Sequence, residues 1–391
     1  MKRLLLPALL LTTLTACTAA PAGTLPAAAP TPTPTSTPAP TAAPTPADAL
    51  TPEEKIGQLF IIRPDALDLT LPQETINDAK AVGVTMLTDA MRETLQAYPV
   101  GGICQFGKNI TDPEQLAQFN ADLQAASRTP LFIAVDEEGG AVARLANHPA
   151  FDLPQYESAA AVGASGDPAD ACAMGQTIGA YLKEYGFNMD FAPDADVNTN
   201  PDNPIIGTRA FSSDAATAAE MAAAAADGLR TSGILPTLKH FPGHGDTAED
   251  SHTALAVTYK TLDELQACEL LPFAADTGLH AVMVGHIAAP NVTGDGTPAT
   301  LSPQLVALIP DAENTLIVTD SLAMDAITAA YTPGEAAVQA LQAGCDVLLM
   351  PNSLPEAYAA VLEAVQNGTI SEERLDRSVN KILLYKQQFA S

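Results

Sequence analysis

The sequence predicts an α/β fold, a single (β/α)8 TIM-type barrel. Three observations carry this. Eight short apolar runs recur along the chain, helix-length segments separate most of them, and charged residues gather just beyond the ends of several runs. The runs are continuously apolar rather than alternating, as parallel strands covered on both faces require. Eight strand-then-helix units in one domain of about 340 residues point to a closed barrel. An open doubly wound sheet is the alternative. No Gly-x-Gly-x-x-Gly follows an early run, so its dinucleotide-binding version loses support.

In chain order, strands are expected at 58–62, 100–106, 131–135, 189–192, 234–238, 281–284, 315–318 and 346–350. The domain starts with Thr51-Pro52-Glu53-Glu54, a cap residue, a proline at the first helical position and a glutamate at the third. Residues 63–97 read as an insertion between the first two strands. A helix is expected at 113–127, with Leu116, Phe119 and Leu123 on one face, and others at 214–230 and 262–273. Ser371 caps the final helix, and Leu375, Val379, Ile382 and Leu383 line its inner side.

The segment before the barrel has a different character. Lys2 and Arg3 precede an apolar run at 4–11 that fades into Leu14-Thr15-Ala16-Cys17. The run is too short to span a membrane and has the shape of a signal peptide. Leu-Thr-Ala-Cys resembles a bacterial lipobox, which implies cleavage after residue 16 and lipidation of Cys17. Residues 18–48 are almost entirely Pro, Thr, Ala and Ser. They cannot bury a core and are expected to stay extended, reaching on the order of 90 Å at about 3.1 Å per residue. The expected organisation is therefore a signal peptide at 1–16, a lipidated cysteine and tether at 17–48, and a barrel at 49–391. Such a chain would be exported and held at the cell membrane by its lipid alone.

Composition narrows the function. The formal net charge of the 391 residues is −28, which repels phosphate backbones and argues against nucleic-acid partners. Beyond Cys17 the cysteines are Cys104, Cys172, Cys268 and Cys345. None forms a CxxC pair, and no disulfide framework is expected.

Active sites of such barrels sit at the C-terminal ends of the strands. Just past the expected runs stand Asp136, Asp194 with Asp196, Lys239 with His240, His286, and Asp320. The densest stretch is 239–252, which holds His240, His244 and His252. His240 and His244 have the i, i+4 spacing of a helical zinc pair. Pro242, Gly243 and Gly245 argue against a helix there, so neither a metal nor any other cofactor is expected. Asp250-Ser251-His252 reads differently. In an extended loop residues i and i+2 point to one side, so the Asp250 carboxylate can orient the His252 imidazole. That arrangement suits a histidine serving as general acid and then general base.

These segments resemble glycoside hydrolase family 3, in particular its single-barrel bacterial β-N-acetylglucosaminidases, across 50–390. The resemblance rests on five pieces. They are Lys239 to His252, Val135-Asp136-Glu137-Glu138-Gly139-Gly140, Asp190-Phe191-Ala192-Pro193 with Asp196-Val197-Asn198, Asn203 to Phe211, and Val318-Thr319-Asp320-Ser321-Leu322-Ala323-Met324. It implies that Asp320 is a nucleophile forming a glycosyl-enzyme. It implies that His252, oriented by Asp250, protonates the leaving oxygen, on a mobile loop that closes over substrate. Asp136, Arg209, Lys239 and His240 would bind hydroxyls of the terminal sugar, and Arg144 and His286 would complete that substrate-binding set. The implied partners are N-acetylglucosamine-containing glycans of cell-wall or chitin type.

Ala141 departs from the arginine common after the paired glycines, and this blurs substrate length and acetamido selectivity. Many relatives draw a glutamate acid–base from a second domain. This sequence ends just after the last barrel helix, so the donor is expected from the barrel, with His252 the candidate. Two other readings stay open, a β-glucosidase or xylosidase with the same machinery and a sugar-binding lipoprotein without turnover. Phosphate in place of water as acceptor also stays open.

Overall fold

The computed structural model describes residues 45–248 and 255–390. Eight strands form one parallel sheet. They are β1 (Phe60–Ile62), β2 (Gly102–Cys104), β3 (Phe132–Val135), β4 (Met189–Asp190), β5 (Leu235–Phe241), β6 (Ala281–Val284), β7 (Leu316–Thr319) and β8 (Leu348–Leu349). All eight expected runs are strands, and neighbours in sequence are neighbours in space from β1 to β7. The register is set by pairs such as Ile61 with Gly102, Ala134 with Met189, and Leu238 with Val282. β8 returns to β1, pairing Phe60 with Leu348. A parallel bridge between Val318 and Val347 joins β7 to β8 and closes the ring. Closure leaves no unpaired sheet edge, which is why short strands suffice.

β5 differs from its expected end at 238. It runs on to Phe241, so Lys239 and His240 lie within the strand rather than after it. The apolar signal stopped at the first charged residue, although the backbone ladder did not.

Helices surround the ring. Pro168–Glu184 and Ala215–Thr231 pack with backbones nearly touching. A Cβ at Gly175 would strike the Ala225 carbonyl, and one at Gly228 would strike that of Cys172. The alanine-rich composition serves this close approach. The expected helix at 262–273 is two short pieces, Leu262–Ala267 and Leu271–Ala275.

The segment 63–97 is not a mere insertion. It carries the helix Asp89–Ala97, which buries Met91 and Leu95 and leads into β2. Lys108 Nζ donates to the Thr75 and Ile76 carbonyls at 3.0 and 2.8 Å, which ties the excursion down.

The C-terminal helix Glu372–Phe389 braces the closure. Lys381 Nζ meets Asp346 Oδ2 at 2.7 Å and donates to the Ala312 and Thr315 carbonyls, both at 2.9 Å. At the other terminus the short helix Pro46–Ala49 packs on the same helix. Ala47 is wholly buried, and its N–H donates to Asn380 Oδ1 at 2.9 Å. Residues 45–48, expected to be tether, therefore belong to the barrel. Cys17 and the rest of residues 1–44 lie outside the described residues. Cys104, Cys172, Cys268 and Cys345 are free thiols.

Candidate active site

The C-terminal ends of the strands ring a pocket of about 790 Å³, its open mouth included. Asp136 follows β3, Lys239 and His240 end β5, and Asp320 follows β7. All four line the pocket with Arg144, Arg209 and Glu138.

A chain of ion pairs organises one wall. Lys239 Nζ lies 2.8 Å from Asp136 Oδ1 and 2.6 Å from Glu138 Oε1. Arg209 grips Glu138 through two bonds, Nε to Oε2 at 2.8 Å and Nη2 to Oε1 at 2.7 Å. That is the bidentate fork a guanidinium makes with a carboxylate. Arg144 Nη2 reaches Asp136 Oδ2 at 3.4 Å.

Burial alone would raise the pKa of Asp136, but the charges of Lys239 and Arg144 outweigh it and hold the carboxyl well below its usual range. Burial would likewise neutralise Lys239. Asp136 and Glu138 reverse that and hold its ammonium charged. The wall is thus locked in its ionised form.

Each member is positioned by its surroundings. Glu137 is buried beneath the hairpin that carries Arg144. It accepts the N–H groups of Arg144, Leu145 and Ala146 at 2.5, 2.9 and 2.9 Å, and the Tyr181 hydroxyl at 2.9 Å. Asn203 anchors the arginine loop. Its Oδ1 accepts the Ile205 and Ile206 N–H groups, and its Nδ2 donates to the His244 and Thr247 carbonyls. Asp196 Oδ2 accepts from His240 Nδ1 at 2.8 Å, which fixes that tautomer and turns Nε2 toward Arg209 Nη2 at 3.4 Å.

Asp320 stands on the β7 side of the ring. Its N–H donates to the Val284 carbonyl at 2.9 Å, which sets the chain's exit from the strand. The Ser321 N–H donates to its Oδ1 at 2.7 Å.

Asp136, Arg144, Arg209, Lys239, His240 and Asp320 therefore come together. His286 does not join them at the surface. It is fully buried, does not line the pocket, and bonds Thr300 Oγ1 at 2.7 Å and the Ser321 carbonyl at 2.8 Å. Its place is behind the segment that carries Asp320 and Ser321. Asp250 and His252 lie outside the described residues.

Sequence reasoning gave no role to Glu138, although its charge beside Asp136 was a signal. It also missed His244, which lines the pocket beside His240 with ring centroids 5.8 Å apart. Both histidines sit on a strand and the turn after it, not on a helix. Ala141 is exposed at the hairpin turn and does not line the pocket. Among the described residues, Asp194, Asp196 and His240 are the group whose ligand-type atoms lie within 4.8 Å of one another. They are already engaged, His240 by Asp196 and Asp194 by Arg209 at 3.6 Å.

Residues 51–384 match the glycosyl hydrolase family 3 N-terminal domain. The chain is 32% identical over 335 residues to beta-hexosaminidase A of Pseudoalteromonas piscicida, covering 78% of this chain and 56% of that protein. It is 33% identical over 347 residues to beta-hexosaminidase LpqI of Mycobacterium tuberculosis, covering 81% of this chain and 83% of the relative. A solved family 3 beta-N-acetylglucosaminidase from Paenibacillus sp. str. FPU-7 superposes with a TM-score of 0.78 at 37% identity, over 87% of this chain and 63% of that one. The chain thus spans little more than half the length of the Pseudoalteromonas relative.

Proposed function

The chain belongs to glycosyl hydrolase family 3, and from that premise we propose that it is a retaining, exo-acting β-N-acetylhexosaminidase. The observation that carries this reading is one pocket in which Asp320 shares the space with the Asp136–Lys239–Glu138–Arg209 ion-pair wall. Relatives named beta-hexosaminidase, at 32% and 33% identity, support the substrate class.

The chemistry follows from charge. Cleavage of a glycosidic bond builds positive charge at the anomeric carbon. The Asp320 carboxylate attacks that carbon and forms a glycosyl ester as the bond to the leaving oxygen breaks. The leaving oxygen takes a proton, assigned in this proposal to His252 with Asp250 orienting it. His252 then accepts a proton from water, whose oxygen attacks the same carbon and releases Asp320. Paired side chains at Asp136, Lys239 and Arg209 present fixed donors and acceptors to the sugar hydroxyls at no reorganisation cost.

The test is hydrolysis of an aryl β-N-acetylglucosaminide by wild type and Asp320→Ala. Turnover is expected to fall by about 10³-fold or more in the variant. Normal turnover would discard the nucleophile. A preference for the unsubstituted aryl glucoside would instead discard the acetamido assignment. Running the panel with and without phosphate, and identifying the products, names the acceptor.

Export and lipid anchoring through Cys17 belong to the same proposal, supported by the leader and the Leu-Thr-Ala-Cys sequence. Full-length protein should partition into detergent, and Cys17→Ala should stay in the aqueous phase. Equal partitioning of the two would refute the anchor.

A further inference from the structure

After β5 the chain turns away from the barrel, and it is back against it at Ala256. Both ends of that excursion are fixed. On the outgoing side the Asn200 N–H donates to the Gly245 carbonyl, and Asn200 Nδ2 donates to that of Thr247, both at 3.1 Å. On the returning side Ala256 and Val257 pair in parallel with Ile287 and Ala288. The Thr258 N–H then donates to the Ala288 carbonyl at 2.9 Å.

One carboxylate joins the two ends. Asp246 Oδ2 accepts from Thr258 Oγ1 at 3.2 Å, and Asp246 Oδ1 accepts from Thr199 Oγ1 at 3.4 Å. Lys260 Nζ lies 3.3 Å from Asp246 Oδ1, donates to Thr199 Oγ1 at 3.4 Å and also bonds Glu269. Glu269 is fully buried and backs onto the turn after β5, where a Cβ on Gly243 would lie 2.6 Å from the Glu269 Cβ. Burial would lower the Lys260 pKa, but Glu269 and then Asp246 outweigh it and raise it above its ordinary value. The ammonium is thus a charged link between the acid beneath the outgoing end and the acid that holds the returning one. Lys260, Asp246 and Glu269 do not line the pocket, so contact with a sugar there is not their work.

We infer that Lys260 is a positioning residue for the reaction: it keeps Asp246 and Thr258 together and so fixes both ends of the segment that carries Asp250 and His252. The inference rests on the proposed role of His252 as proton donor. Position 252 is six residues from Asp246 and six from Thr258, the middle of the segment. Six residues of extended chain span about 20 Å. A chain tethered at one end sweeps a far larger volume than one tethered at both. With both ends fixed, the entropy of closing the segment is lost on folding rather than at the moment of reaction. That matters because a proton donor must come within hydrogen-bond reach of the leaving oxygen, and a misplacement of about 1 Å costs about 10²-fold in rate.

The test compares two aryl β-N-acetylglucosaminides on the full-length protein. Dinitrophenolate leaves without a proton, whereas unsubstituted phenolate needs one. The kcat/KM of each reports the step in which the bond to the leaving oxygen breaks. Lys260→Met is expected to lower kcat/KM for the phenyl glycoside by about tenfold or more, a part of what a general acid contributes, and that for the dinitrophenyl glycoside by less than about twofold. Lys260→Arg keeps the charge and should restore part of the loss. Asp246→Asn cuts the same link from the other side, should show the same selectivity, and carries the test if Lys260→Met fails to fold.

An equal loss on both substrates is what a merely structural lysine gives, and it overturns the inference. So does the absence of loss on either. His252→Ala separates this inference from the proposed function. A loss confined to the phenyl glycoside in His252→Ala, without one in Lys260→Met, overturns the positioning role alone. The reverse pattern supports the positioning role and overturns the assignment of His252 as donor.

Discussion

At the scale of single residues, the pocket depends on charges that are expensive alone and stable together. Glu138 shows this. Burial would raise its pKa, but Arg209 and Lys239 lower it below the ordinary carboxylate value. In the acid range just below that value the unfolded chain binds a proton that the folded one refuses. The stability Glu138 contributes is therefore complete above the ordinary carboxylate range and is lost as pH falls below it. Glu138→Gln leaves Lys239 and Arg209 short of a negative charge. It should cost about 3–5 kcal/mol, the scale of a broken buried pair, read by denaturant unfolding at neutral pH. The variant should also lose less further stability than wild type when the pH is lowered through the carboxylate range. Asp136 and Lys239 were legible from their place after or near the end of an apolar run. Arg63 was not, because only the fold brings it to the pocket, 4.7 Å from the centre of the Phe106 ring.

At the scale of elements, a helix pair and the C-terminal helix carry separate predictions. The Pro168–Glu184 and Ala215–Thr231 pair relies on Gly175, where any side chain meets the Ala225 carbonyl. Gly175→Leu should force the helices apart and cost about 1–3 kcal/mol or more, seen as a lower Tm. The other case is Lys386 on the C-terminal helix. Its Nζ is buried, donates to Gln58 Oε1 at 2.6 Å and lies 5.3 Å from the centre of the Phe132 ring. Burial pushes its pKa down to about 7. Between that value and the ordinary lysine value the unfolded chain holds more protons, so this residue makes the protein more stable as pH rises above 7. Unfolding at pH 7 and pH 9 should show that gain in wild type and lack it in Lys386→Met. An equal pH response in both would refute it. The caps of the helices Pro52–Gln58 and Glu372–Phe389 were readable in advance, because Thr51 and Ser371 announce their roles by residue type and spacing. The true end of β5 was not, because apolar patterning reports burial against a core and the strand continues through residues buried for another reason.

At the scale of the whole molecule, the ring closes between β7 and β8 by a single bridge, and the C-terminal helix braces it through Lys381. Lys381→Ala removes the nearer cation of the buried Asp346 carboxylate, leaving Arg374 at 3.8 Å, and uncaps two carbonyls. The expected loss is about 3–5 kcal/mol, in one cooperative transition because the barrel cannot open at one seam alone. A separate early transition would show that closure is not cooperative with the rest. By itself the sequence determined the number of strands, their parallel character and most of the helices, together with the loops that would bear the polar residues. These depend on local patterning and on hydrophobicity, which act over a few residues at a time. Only the tertiary structure decided which charges pair, that His286 stands behind the pocket rather than in it, and that Arg63 lies against the Phe106 ring. Those outcomes depend on distances of a few ångströms between residues far apart in the chain, where Coulomb energy and desolvation change steeply.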